Sequence, residues 1–171
     1  MKYCENLLCC ILFLMSTICV GQSFISEVPQ AEAKLDLLEV NTINKLEQQV
    51  LNKSVTLVTI GDISNHLVNN EIKFELPIGK YQFHAITDFV ESDGENYIWN
   101  GTIVNQNLDN IGTIALFLQE GERFGQITSD IGDFELFQIK KEVQVLIEKD
   151  KSKYSNYTCG YDDRLLSLIH I

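Results

Sequence analysis

"YIWNGTIVNQNLDNIGTIALFLQEGERFGQITSDIGDFELFQIKKEVQVLIEKD", residues 97–150, decides the fold. Its apolar residues recur at a period of two within short runs: 97–104, 113–118, 124–129, 134–139 and 143–148. Those runs are rich in Ile, Val, Phe and Thr, the residues that fit a pleated, half-buried surface. Between them lie "NQNLDN", "QEGER" and "SDIGD", clusters of Asn, Asp and Gly that supply turn conformations. Upstream, "VTLVTI" (55–60), "IKFEL" (72–76) and "YQFHAI" (81–86) continue the pattern, separated by "PIGK" and "ESDGEN". About eight short strands at roughly ten-residue spacing predict a mainly β domain, an antiparallel sandwich or curled sheet. Trp99, Tyr97, Phe117 and Ile127 are the expected core residues, with Trp99 and Tyr97 on one strand face.

One helix precedes the strands. In "NTINKLEQQVLNK" (41–53), Ile43, Leu46, Val50 and Leu51 share a helical face, and Asn41 or Thr42 can cap it. This amphipathic helix is expected to plug an open end or edge of the sheet. Residues 22–40 contain the polar stretch "QSFISEVPQAEAK" and are read as a disordered lead-in.

The first 21 residues read as a secretory signal. Lys2 precedes an apolar run from Leu7 to Val20, too short to span a membrane, and Cys19 and Gly21 fit a cut after Gly21. The expectation is a secreted or periplasmic protein with no membrane attachment after cleavage. Cys4, Cys9, Cys10 and Cys19 leave with the signal, so Cys159 becomes the sole cysteine. A lone thiol makes no internal disulfide: it pairs with another chain, stays free or binds metal. The net charge of −11 argues against nucleic acid or anionic lipid as a partner.

The chemistry of a hydrolase is not spelled out. No H-E-x-x-H, G-x-S-x-G or phosphate-binding glycine loop occurs. His66 and His84 read as a loop and a strand histidine, and Asp62, Asp88, Asp93, Asp109, Asp130 and Asp133 as turn residues. No catalytic or cofactor-binding residue is assigned. "NKS" (52–54), "NGT" (100–102) and "NYT" (156–158) match the glycosylation sequon. Residues 41–150 form the domain, and 151–165 read as a polar linker. The last six residues, "LSLIHI" (166–171), are what CTG TCT CTT ATA CAC ATC encodes. That string resembles a sequencing adapter, so they are read as an artefact at a truncation.

The block 97–150 resembles the propeptide of secreted metzincin-type zinc metalloproteases, the peptidyl-Asp metalloendopeptidase kind especially. The matching residues are Tyr97, Trp99 and Gly101, then 113–118, Gly121, Gly125, Ile127, Phe134 and 143–150, with 72–85 resembling the upstream strand pair. The resemblance implies a non-catalytic pro-domain that aids folding of a downstream protease and holds it latent. Its partner would be that protease domain, outside these residues, and zinc would belong there. "CGYDD" then resembles the cysteine switch, carried by Cys159, Gly160 and Asp163, with Thr158 where a basic residue often stands. Cys159 would cap the catalytic zinc as its fourth ligand, displacing water. An idle linker thiol remains open beside it. The alternative function is a stand-alone exported β-sandwich that binds a ligand or carbohydrate, with Trp99, Tyr97 and Tyr81 as a stacking platform.

Overall fold

The computed structural model describes residues 23–93 and 96–154. It is a mainly β structure: nine antiparallel strands in one curled, nearly closed sheet. In chain order the strands are β1 (Ile25–Glu27), β2 (Asn52–Ile60), β3 (Glu71–Glu75), β4 (Gln82–Asp93), β5 (Asn96–Val104), β6 (Asn110–Gln119), β7 (Glu122–Ser129), β8 (Asp133–Lys140) and β9 (Val143–Lys149). Two helices, α1 (Gln30–Ala33) and α2 (Leu37–Glu47), lie between β1 and β2. The spatial order is β1-β2-β9-β8-β7-β6-β5-β4-β3. From β3 to β9 each strand therefore pairs with its sequence neighbour. Short loops with residues in the left-handed region make this possible, as at Glu120 and Gly121 between β6 and β7.

The curl brings the two edges together around one core. Residues paired across antiparallel strands point to the same face. Trp99 therefore shares its face with Leu116, which pairs with it, and with Gly125 and Leu136 in the next two strands. Trp99, Ile127, Phe134, Val58 and Ala85 are all fully buried in this interior. Phe24, just before β1, packs edge-on against Phe74 of β3 at 5.6 Å and against Trp99 at 6.5 Å. Aromatic contacts thus bridge the seam that no backbone ladder closes.

Three expectations change. The lead-in at 22–40 carries β1, α1 and the start of α2, because Phe24 and Ile25 are both 2% exposed and β1 pairs with β2. The helix lies at Leu37–Glu47 rather than 41–53. Its cap is Asp36, whose carboxylate accepts from the Glu39 backbone, while the Glu39 side chain accepts from Asp36 N–H at 2.7 Å. That reciprocal capping box fixes the start. The helix ends because Asn52 opens β2, and the Asn52 amide donates to Leu46 O at 2.8 Å. Val50 and Leu51, expected on the apolar face, are exposed. Finally, α2 plugs no open end. Ile43 and Leu46 cover the outer face of the sheet, against Leu57, Val145 and Ile147.

Candidate interaction surface

The alternation of β6 sorts its apolar residues onto both faces. Ile114 and Leu116 enter the core, and Phe117 turns outward. Phe117 is thus not the core residue expected; it is half-buried on the outside and stacks on Phe124 of β7 at 5.6 Å. The register extends this outer row in both directions: Leu57, Val145, Phe137, Phe124, Phe117 and Ile98 pair in sequence, and Glu91 pairs with Ile98. One end of the row lies in the cluster that α2 packs on. The other end, Phe124, Phe117 and Ile98, lies beyond that cluster, and Phe124 is 39% exposed.

The uncovered end meets an open sheet edge. β3 pairs with β4 only from Gln82 to Ile86, while β4 runs on to Asp93 against β5 alone. A bulge between Thr87 and Phe89 marks where the pairing changes. Beyond it Phe89 and Val90 are about half exposed. Three carboxylates, Asp88, Glu91 and Asp93, stand along the same stretch. Asp88 accepts a bond from the Thr102 hydroxyl at 2.7 Å. A depression of about 220 Å³ opens beside the strand, with Glu91 and Asp93 among its walls and Ile98 and Phe117 among its apolar lining.

A second depression of about 270 Å³, walled by uncharged polar side chains, adjoins it on the outer face of β5, β6 and β7. Asn100, Thr113, Gln126 and Thr128 line it, and Ala115 leaves room at its centre. Of the sequon asparagines, Asn100 lies here, whereas the Asn52 amide is held by Leu46 O and the Gln49 side chain.

The remaining singled-out residues are spread through the fold. Trp99 is fully buried, and its indole N–H donates to the Thr87 hydroxyl at 3.0 Å. It presents no face to solvent, so a stacking platform built on Trp99, Tyr97 and Tyr81 does not form. Ile127 is fully buried, and Tyr97 packs against the core with burial pushing its phenol pKa up. The Tyr81 hydroxyl lies 3.4 Å from Glu148, a buried carboxylate that also accepts from Lys53 at 2.6 Å and Ser54 at 3.2 Å. The bond to Glu148 raises the Lys53 pKa. His66 packs on Phe24, its ring 5.3 Å away, and His84 bonds to Glu71 at 2.9 Å. Asp62 caps the turn at Ile63–Asn65, and its bonds from Ser64 hold its carboxyl below the usual range.

Among the described residues no group of three or more His, Cys, Asp or Glu is placed to hold a metal. No described helix is long and apolar enough to cross a membrane. Cys159, Gly160 and Asp163 lie outside the described residues, as do the signal segment and the last six positions. The chain beyond β9 is fixed as far as Tyr154. Asp150 caps the turn Lys151–Lys153, and the Lys151 ammonium bonds Ser129 O and pairs with Asp133 at 3.1 Å.

No protein-family model matches the chain, and no curated protein matches it. Among solved structures, one described as "Structure of a chaperone-substrate complex" is similar at 15% identity and a TM-score of 0.45, covering 65% of this chain and 88% of that one.

Proposed function

We propose that this chain is the non-catalytic pro-domain of an exported zinc metalloprotease, which binds its downstream protease domain, aids its folding and keeps it latent. The observation that carries a protein-binding role is the filled interior. Trp99, Phe134, Ile127 and Val58 occupy the space in which a curled sheet of this kind would hold a small ligand. Binding is left to the outer surface, and there a continuous apolar row ending at Ile98 departs from the acidic exterior. Resemblance of residues 97–150 to metzincin propeptides names the partner. The anchored exit at Lys151 supports the switch: five residues separate Tyr154 from Cys159, a reach of at most about 16 Å from a fixed point.

The test is the full-length precursor with and without Cys159→Ser, maturation blocked, assayed on a peptide substrate. A serine hydroxyl is a far weaker zinc ligand than a thiolate, so the variant gains activity while the domain still folds and is exported. Equal activity in the two precursors removes the switch. A reading frame that continues without H-E-x-x-H-x-x-G-x-x-H removes the whole reading.

A second reading, the stand-alone carbohydrate-binding module, draws support from the polar depression rather than from Trp99. Amides at Asn100 and Gln126 and hydroxyls at Thr113 and Thr128 adjoin the stacked Phe117–Phe124 pair. Backbone NMR titration with oligosaccharides decides it: shifts confined to these residues support the module, and none at millimolar sugar removes it.

A further inference from the structure

We infer that the overhanging edge of β4 takes up an extended, basic segment of a protein partner as an added strand, with one Lys or Arg side chain seated in the depression beside Ile98 and Phe117. The inference rests on the protein-binding reading above and specifies the chemistry of what is bound. Its first basis is the backbone. β4 has β5 on one side throughout, but β3 lies on its other side only as far as Ile86. From Asp88 to Asp93 the ladder stops, and an edge with free N–H and C=O groups is a template for another strand.

The second basis is charge complementarity. Asp88, Glu91 and Asp93 recur along the open edge in a chain of net charge −11. A second copy pairing edge to edge would set carboxylate against carboxylate, and like charges directly opposite destabilise a strand pair. The same carboxylates favour a strand bearing Lys or Arg. The third basis is the depression itself, whose lining joins two carboxylates, Glu91 and Asp93, to apolar Ile98 and Phe117. A long basic side chain matches that combination: its methylenes lie on the apolar surface, its charge meets the carboxylates, and the Phe117 ring adds a cation–π contact. Phe89 and Val90, about half exposed, become covered when the strand is added.

The experiment uses the full chain and a fluorescent ten-residue peptide of alternating Lys and Val, followed by anisotropy, with an alternating Glu and Val peptide as its counterpart. The Lys–Val peptide is expected to bind and the Glu–Val peptide not. The double change Glu91→Gln, Asp93→Asn lowers affinity about tenfold, as two exposed charge pairs allow. Removing two distant charges, by Glu47→Gln with Glu142→Gln, leaves affinity within about twofold, which separates the site from general attraction to an acidic protein. Val90→Pro, on an exposed edge where folding tolerates proline, weakens binding because the ring removes an N–H and obstructs the added strand. Equal binding of the two peptides, or equal loss in both charge-removal variants, overturns the inference. So does a concentration-dependent dimer that Val90→Pro abolishes, which would make the edge a self-pairing surface. None of these readouts involves Cys159 or a protease. Peptide binding beside a non-latent precursor therefore removes the pro-domain reading alone, and latency without peptide binding removes this inference alone.

Discussion

Gln144 points into the curled sheet from β9, paired with Val58 on one side and Gln138 on the other. It is fully buried, and neither its amide oxygen nor its nitrogen has a hydrogen-bond partner. A buried amide without partners forfeits its water bonds for nothing, at about 1–3 kcal/mol. Leucine has nearly the same shape and no polar atoms, so Gln144→Leu is expected to raise stability by about that amount, read as a later urea midpoint. An earlier midpoint would mean that an internal water completes the amide. Tyr97 lies on the same inner face, and its phenol makes stability depend on alkaline pH. Burial disfavours its phenolate, so the folded pKa stands above the ordinary value of 10.0. The folded state then holds this proton more tightly than the unfolded chain. Its contribution is complete below the unfolded value and is lost as pH rises from there through the folded one. Titration at 295 nm should show a late-ionising component that Tyr97→Phe reduces, with Tyr154 as the other late tyrosine among the described residues.

At the scale of elements, α2 depends on its first turn. Asp36 and Glu39 exchange bonds of 2.7 and 2.8 Å, and Asp36→Ala is expected to cost about 1 kcal/mol, measured by urea unfolding. This cap was readable as D-x-x-E at 36–39, yet the apolar spacing of Ile43, Leu46, Val50 and Leu51 draws the helix downstream. Spacing records which residues could share a face; the strand beginning at Asn52 decides where the face ends. The strands were legible for the converse reason. A period of two persists through residues 97–148, and every break in it except the one at Lys140, Lys141 and Glu142 carries Gly, Asn or Asp, so the alternation and the turns agree. β1 was not legible, because three residues are too few to show a period. Phe117 shows the limit within a single strand. "TIALFL" holds apolar residues on both faces, and only the pairing of Leu116 with Trp99 tells which is inside. The groove at Glu91 and Asp93 needs three strands in register, β4, β5 and β6, and no local pattern carries that information.

For the whole molecule the decisive feature is the seam between the edge strands β1 and β3, which the ladder order leaves unpaired. Side chains hold it. Phe24 is 2% exposed and meets Phe74, Trp99 and His66, while its carbonyl accepts from Gly61 N–H at 2.8 Å. Deeper in, Phe83 and Tyr81 close on Phe134 at 6.1 and 5.7 Å, joining the β3–β4 side to β8. Side-chain contacts are lost one ring at a time, whereas a ladder between long strands opens cooperatively, so the seam should be the first part to open. Amide exchange is therefore expected to be faster in β1 and β3 than in β5, β6 and β7, each of which has a partner on both sides. Phe24→Ala removes the ring that three others touch and should cost about 3–5 kcal/mol. It should also accelerate exchange at β1 and β3 more than at the centre, beyond the global loss of stability. The Gly61 bond uses the Phe24 backbone and survives the change, so the effect reports the ring alone. If exchange rises uniformly across all nine strands instead, the sheet opens as a single unit, and the aromatic seam is no weaker than the hydrogen-bonded ladders beside it.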